Sequence, residues 1–314
     1  MALAEAVRRF LATKPDSGHP DEPLETRRAA IHAGSDRLFE LFGEPVEPVE
    51  VREVTVEVPE GGIRVRVYRP PAPGPLPLYV FLHGGGFWLG SIDERVNDAL
   101  CHDRSRRARC VVVAVDYRLA PAHRFPAPLE DCSAALTWAV ENAARLGADP
   151  DRVAVGGVSA GANLAAALCL LARDRGGPRI DLQILEVPPL DLTLGTMRAS
   201  GVPDDYGITV DDMRLCGDLY LGPDHDRRDE LVSPLLAADP TGLPAARILS
   251  AEFDPLRLDG ERYADRLRAA GVPVAFDIHP GAVHGSLALT GAWPPAAAWH
   301  DDVVTALLGL HHTR

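Results

Sequence analysis

One serine in this chain stands in a context that could make it a nucleophile. Ser159 is the centre of Gly157-Val158-Ser159-Ala160-Gly161, which matches the G-x-S-x-G pattern of a strand–turn–helix elbow. The apolar run Val153–Val155 precedes it, and an alanine- and leucine-rich run follows it. Such a turn exposes the central side chain, and its glycines let strand and helix approach closely. The pattern therefore predicts a serine that attacks a carbonyl carbon, although the five residues alone could match by chance in a loop.

A serine hydroxyl needs a base to become a nucleophile, and the base needs an acid to orient it. Asp254 and His284 follow the serine in the chain order serine, acid, histidine, each just after an apolar run that is typical of a strand. Asp254 could instead cap the helix that follows it. Glu252 and Asp259 are alternative acids, and His279 is an alternative base. We expect Asp254 and His284 to complete a catalytic triad.

A glycine-rich segment, His83-Gly84-Gly85-Gly86-Phe87, follows the predicted strand Leu78–Leu82. Consecutive glycines leave backbone N–H groups able to approach a ligand, so this segment could form an oxyanion hole, with a flexible turn as the alternative. The N–H of Ala160, at the start of the predicted helix, would point at the same atom. We interpret His83 as a structural residue that holds this loop.

The candidate residues belong to a chain in which apolar runs alternate with helical segments. The runs are continuous, as in strands buried on both faces, which indicates a mostly parallel sheet covered by helices. Strands are predicted at Leu78–Leu82, Cys110–Val115, Val153–Val155, Ile180–Val187, Ala246–Ala251 and Val274–Ile278. Helices are predicted at about residues 94–107, 128–146, 160–173, 257–270 and 296–310. The candidates thus stand at the carboxyl ends of strands, where such sheets bind ligands.

Two regions lie outside this alternation. Residues 1–45 are predicted to form amphipathic helices interrupted at residues 14–20, and a β-hairpin follows at residues 54–68. Residues 190–240 carry proline, glycine and aspartate clusters and one amphipathic helix, Val210–Leu221. We expect the 190–240 segment to pass over the carboxyl edge of the sheet.

The composition is that of an ordinary globular protein, with 46% hydrophobic and 25% charged residues among 314. A formal net charge of -13 argues against binding of nucleic acid or of an anionic membrane surface. Five scattered cysteines without a C-x-x-C pattern indicate a reducing compartment and no structural metal. The first residues lack the apolar core of a secretion signal, so we expect a cytoplasmic protein.

Together these motifs resemble the hormone-sensitive-lipase-like carboxylesterases, bacterial family IV of the α/β-hydrolase superfamily. The resemblance extends from about residue 50 to the end of the chain. It rests on five blocks: HGGGF at 83–87, DYRLAPAHRFPAPLED at 116–131, GVSAGANLAA at 157–166, AEFDPLRLDG at 251–260 and VHG at 283–285.

The resemblance implies an α/β-hydrolase fold, with a mostly parallel central sheet flanked by helices and covered by a helical cap. It implies Ser159, Asp254 and His284 as the triad, and the N–H groups of Gly85, Gly86 and Ala160 as the oxyanion hole. The expected division is N-terminal cap helices at 1–45, a hydrolase core at 46–189 and 241–314, and a cap excursion at 190–240. Seven cap and loop residues are candidates to line the substrate pocket: Phe87, Trp88, Leu190, Tyr206, Met213, Leu215 and Leu287.

Three positions depart from the family pattern. Val158 stands where the family usually has aspartate beside the nucleophile, Ala162 where it has glycine, and Ala122 where it has glutamate after "LAP". We expect Val158 to alter substrate choice or rate rather than to abolish activity. Asp116 and Arg118 are expected to pair with each other and hold the strand–loop junction.

The implied function is hydrolysis of short- to medium-chain acyl esters through an acyl-enzyme, with a small-molecule ester as substrate and no metal or organic cofactor. A dedicated deacetylase or amidase that tailors one natural product would use the same triad. A ligand receptor of this fold is a further alternative, which the presence of His284 argues against, and an interfacial lipase is another. A homodimer is also expected, since the apolar stripe Val303, Val304, Leu307 and Leu308 could be buried in the core or in an interface.

Overall fold

The computed structural model describes residues 3–13, 22–59 and 61–312, and one mixed sheet runs through it. The strand order is β1-β2-β4-β3-β5-β6-β7-β8. β1 and β2 form the predicted hairpin, and β2 pairs antiparallel with β4. Strands β3 to β8 are parallel to one another. The strands are β1 (Glu50–Val58), β2 (Gly61–Arg69), β3 (Leu76–Leu82), β4 (Val111–Asp116), β5 (Ala148–Val158), β6 (Leu182–Glu186), β7 (Ala245–Ala251) and β8 (Val274–His279).

Helices cover both faces of this sheet, which explains why β3 is buried at every residue. The helices before the nucleophile are α1 (Glu5–Thr13), α2 (Leu24–Phe42), α3 (Arg95–Ala108), α4 (Ala127–Glu141) and α5 (Ala143–Leu146). Those after it are α6 (Ala160–Arg175), α7 (Gly195–Ala199), α8 (Val210–Leu221), α9 (Arg257–Ala269) and α10 (Pro294–Gly309). The predicted parallel sheet covered by helices is thereby confirmed.

Differences from the predicted elements are concentrated at their ends. β5 begins at Ala148, five residues before the predicted start, because its polar beginning still pairs with Leu76 of β3. The single helix predicted at 128–146 is two helices, since the chain turns at Asn142, whose side-chain amide donates to the carbonyl of Trp138. Periodicity carries no signal for either feature.

Two helices, α2 and α8, belong to the regions outside the alternation of strands and helices. α2 contacts α3, and Arg28 of α2 donates hydrogen bonds to the carbonyls of Trp88 and Ala120. α8 begins with a capping box in which Thr209 and Asp212 satisfy each other's backbone N–H groups, and it spans the predicted residues. The interruption predicted at residues 14–20 lies outside the described residues.

Candidate active site

The turn at Ser159 has the geometry that the sequence pattern predicts. Ser159 joins β5 to α6 with φ 53° and ψ -119°, a backbone conformation that residues other than glycine rarely adopt. A Cβ on Gly161 would lie 2.1 Å from the carbonyl oxygen of Leu82, and one on Gly157 would lie 2.3 Å from the same atom. Because that oxygen belongs to the backbone of β3 and cannot move aside, only glycine fits at these two positions.

His284 connects the serine to a buried carboxylate. Its Nε2 lies 3.0 Å from Ser159 Oγ, and its Nδ1 lies 2.7 Å from Asp254 Oδ2. Asp254 is fully buried, and its other oxygen accepts the N–H of Leu256 at 2.9 Å, which fixes the carboxylate. A hydrogen bond donated by Nδ1–H to the aspartate leaves Nε2 free to accept a hydrogen bond from the serine hydroxyl.

The alternative acids and the alternative base have other partners. Glu252 accepts the N–H of Gly281 at 2.7 Å and so supports the loop that carries His284. Asp259 accepts the N–H groups of Leu190 and Asp191 away from the serine, and burial raises its pKa to about 7. The His279 ring lies 4.4 Å from that of Trp299, and its Nε2 lies 3.2 Å from Asp302. The structure therefore brings together Ser159, Asp254 and His284.

The glycine-rich loop lies directly beside the serine, since a Cβ on Gly84 would be 3.6 Å from Ser159 Cβ. Gly85 and Gly86 have φ of 122° and 58°, and their N–H groups form no backbone hydrogen bond with any described residue. Ala160 is the first residue of α6, so its N–H has no partner within the helix. Gly85 and Gly86 line the same cavity as Ser159 and His284, and Ala160 follows the serine directly, so their N–H groups are candidates to stabilise an oxyanion.

His83 holds this loop from the core side, as interpreted from the sequence. Its imidazole is fully buried and stacks on Tyr117 with ring centroids 4.2 Å apart, while the Tyr117 hydroxyl donates to the carbonyl of His83 at 2.8 Å. Burial lowers the pKa of His83, which keeps the ring uncharged. The residue is part of the support of the loop rather than a second base.

Comparison with known proteins shows the family to which the chain belongs. The model of the Abhydrolase_3 family, described as an alpha/beta hydrolase fold, matches residues 79–288. This chain belongs to that family. The hydrolase is 41% identical to the carboxylic ester hydrolase LipN of Mycobacterium tuberculosis over 293 residues, which are 91% of this chain and 76% of LipN. It is 43% identical over 242 residues to the carboxylesterase NlhH of the same species, covering 75% of this chain and 74% of NlhH.

A solved structure shows the same fold over nearly the whole hydrolase. The hyperthermophilic esterase of Pyrobaculum calidifontis superimposes with a TM-score of 0.90 at 35% identity, covering 99% of each chain. The α/β-hydrolase fold predicted from the motifs is therefore confirmed, and the family resemblance with it.

A cavity of about 360 Å³ opens above the serine of the hydrolase. Four of the seven predicted lining residues do line it: Trp88, Met213, Leu215 and Leu287. The cavity also has walls that sequence reasoning missed, contributed by α1, α2, α3 and the cap segment: Phe10, Arg27, Ile31, Leu38, Phe39, Glu94, Val96, Asn97, Leu100, Ile208 and Cys216. For α2, the seven-residue spacing of Ile31 and Leu38 on one face of the helix is the sequence signal that could have predicted this wall.

The other three predicted lining residues are absent from the cavity wall. Phe87 has a positive φ of 69° that turns its side chain into the core, where it stacks on Tyr220 with ring centroids 4.0 Å apart. Leu190 is fully buried in the core and bound through its N–H to Asp259. The ring of Tyr206 is stacked on Phe253. None of the three lines the cavity, because each contacts other residues that the sequence does not reveal.

The predicted pair of Asp116 and Arg118 was wrong as well. Asp116 accepts from Arg64 of β2 at 2.8 Å, and Arg118 forms a bidentate contact with the buried Asp131 of α4, with Nη2 to Oδ1 at 2.7 Å. Asp116 is the last residue of β4, whereas Arg118 lies beyond the end of that strand, and each side chain has a partner on a different element. Both pairs still hold the strand–loop junction.

Proposed function

We propose that this hydrolase is a serine carboxylesterase that cleaves short- to medium-chain acyl esters through an acyl-enzyme. His284 removes the proton of Ser159 as the hydroxyl attacks the ester carbonyl. Asp254 keeps the imidazole in the required tautomer and stabilises its charged form. His284 then protonates the leaving alcohol and afterwards activates the water that releases the acid.

The developing negative charge on the carbonyl oxygen is bound by the N–H groups of Gly85, Gly86 and Ala160. Each key donor of this kind contributes about 3–4 kcal/mol to transition-state stabilisation. The observation that carries the proposal is the hydrogen-bond chain from Ser159 through His284 to Asp254, with Gly85 and Gly86 in the wall of the same cavity. Relatives named as esterases support the same reaction.

The test is hydrolysis of p-nitrophenyl esters from acetate to decanoate by the wild type and Ser159→Ala. We expect turnover of the shorter esters and its loss in the variant. The matched p-nitroanilides measure amidase activity in the same assay. A folded wild type that cleaves only an amide, or no ester at all, would contradict the proposal.

We further propose that the chain divides into a core of 46–189 and 241–314 beneath a cap of 1–45 and 190–240. The contribution of α1, α2 and α8 to the cavity wall supports this division. A cytoplasmic location is proposed because Cys101, Cys110, Cys132 and Cys169 are buried free thiols, as is usual in a reducing compartment. No helix in the described part of the chain is long and apolar enough to span a membrane.

A homodimer is proposed through the edge of the sheet. Val303, Val304 and Leu307 are buried in the core of one chain, so of the predicted stripe only Leu308, 38% exposed, is available to a partner. β8 is the last strand of the sheet and exposes Ile278. An edge strand is open to pairing with a second copy. Light scattering during size-exclusion chromatography would contradict the proposal if it gave only the monomer mass at micromolar concentration.

A further inference from the structure

Glu94 is a carboxylate in the wall of the active-site cavity that the proposed mechanism does not use. It lies just before α3 and is only 9% exposed. It lines the cavity that holds Ser159 and His284, and it also lines a neighbouring cleft of about 880 Å³. The wall of the cavity is largely apolar, and Glu94 is one of its few charged side chains, together with Arg27 and Asp212.

The contacts that the structure gives Glu94 leave it without a strong counter-charge. Its Oε2 accepts from Asn97 Nδ2 at 3.1 Å, and its Oε1 lies 3.6 Å from Nδ1 of His32, whose side chain is 40% exposed. Within the described residues it forms no ion pair with an arginine. Burial, and after it the negative charge of Asp36, raise the pKa of Glu94 to about 7. Apart from His32, no described side chain forms an ion pair with Glu94, so a positively charged ligand would supply a counter-charge there.

The position of Glu94 indicates which part of an ester would meet it. The cavity and the neighbouring cleft share Ile31, Leu89, Gly90 and Glu94. Away from this cleft, the cavity borders a second space of about 280 Å³ that also reaches Leu287 and Leu100. The alcohol must leave before water attacks the acyl-enzyme, so its subsite is expected at the end that borders the cleft.

We propose that Glu94 forms an anionic subsite for esters whose alcohol part carries a positively charged amine. The proposal rests on the esterase function proposed above. A bound cation supplies the counter-charge that the buried carboxylate lacks, whereas a neutral alcohol leaves that carboxylate unpaired. The alternative is that Glu94 has only a structural role, in which it links α2 to α3 through its contacts with His32 and Asn97.

The test compares two acetate esters of equal shape. Acetylcholine carries a permanent positive charge, and in 3,3-dimethylbutyl acetate a carbon atom replaces the nitrogen. We expect the wild-type kcat/KM to be about tenfold or more higher for acetylcholine, and the ratio of the two values to fall close to one in Glu94→Gln. Any general effect of the substitution cancels in this ratio. Glu25→Gln is the matched control, because Glu25 lines only the cleft and is exposed.

The pH dependence of the wild-type ratio provides a readout that needs no variant. Because the charge of acetylcholine does not titrate, the ratio should rise as Glu94 ionises around pH 7. Other titratable or charged groups face Glu94 or the cavity, namely Arg27, His32 and Asp36 from α2, Asp212 from α8, and His284. Those groups remain in Glu94→Gln, so the ratio should no longer change with pH there if Glu94 is responsible.

Several outcomes would overturn the inference. These are equal wild-type kcat/KM for the two esters at every pH, or a preference for acetylcholine that persists in Glu94→Gln. An equal loss of the ratio in Glu25→Gln would assign the preference to the general negative charge and would also overturn it. If p-nitrophenyl acetate is cleaved but neither test ester is, the inference fails while the esterase function stands. If no ester is cleaved, both fail.

Discussion

Leu287→Ala should lengthen the acyl chain that the enzyme accepts. The active-site cavity of about 360 Å³ and the second space of about 280 Å³ have a common wall. Leu287 stands in that wall, 4% exposed, three residues after His284. The wall is formed by Phe39, Val96, Leu100, Leu287 and Ala288. Removing the isopropyl group of Leu287 opens a path from the serine into the second space.

The magnitude follows from the transfer free energy of a methylene group. Each buried CH₂ contributes about 0.8 kcal/mol, or about fourfold in kcat/KM. In the wild type, kcat/KM for p-nitrophenyl esters should rise about fourfold per carbon until the chain meets the wall, and then fall. In Leu287→Ala the maximum should move by roughly two or three carbons, since the substitution removes three carbon atoms.

Leu190→Ala is the matched control for this experiment. Leu190 is equally buried but lies outside the cavity, so the same deletion should lower stability without moving the maximum. Each variant should lose about 2–5 kcal/mol of stability, and the assay temperature has to stay below the lowered Tm. An unchanged maximum in Leu287→Ala, or an equal shift in Leu190→Ala, would refute the idea that this wall limits the chain length.

Three further predictions concern charged groups around the site. Glu186→Gln would leave Arg104, its fully buried partner at 2.6 Å, without a counter-charge, and should lower the free energy of unfolding in denaturant by roughly 3–5 kcal/mol. The control, Glu130→Gln, removes one partner of an exposed ion pair and should lower it by less than about 1 kcal/mol. Equal losses in the two variants would contradict the prediction. Because the pKa of Glu94 is raised from 4.5 to about 7, the folded protein keeps a proton that the unfolded chain releases, and its stability falls as pH rises through that range. Glu94→Gln should therefore gain stability relative to wild type by up to roughly 3 kcal/mol between pH 4.5 and pH 8, and a pH-independent difference would exclude this cause. Val158→Asp, at the cavity wall, should change the rate, the Tm or the preferred acyl chain; no change in any of the three would show that this departure from the family pattern has no effect.

The parts of the site that follow from the sequence are those whose chemistry depends on local order. The turn at Ser159 needs glycines at fixed offsets, because strand and helix approach within contact distance of Leu82. Asp254 and His284 follow strands closely in the chain, and in a parallel sheet the carboxyl ends of all strands lie at the same edge. Local rules were therefore sufficient to bring these residues together.

The substrate cavity depends on contacts between elements that are distant in the chain. Phe87 and Tyr206 were predicted to line it, but each found an aromatic partner, Tyr220 or Phe253, that only the folded chain brings near. Glu94 was missed because a carboxylate beside a helix start is normally a solvated group, and its burial comes from α2 packing across it. Such partners are set by tertiary packing, which periodicity does not encode.

Labelling of the nucleophile tests the central claim most directly. Wild type and Ser159→Ala would be incubated with diethyl p-nitrophenyl phosphate, which transfers a phosphoryl group to an activated serine, and then examined by intact and peptide mass. We predict one diethylphosphoryl group per chain, located on Ser159, with loss of esterase activity in proportion to labelling and no adduct in Ser159→Ala. An adduct on another residue, or ester hydrolysis that survives both labelling and the substitution, would contradict the account.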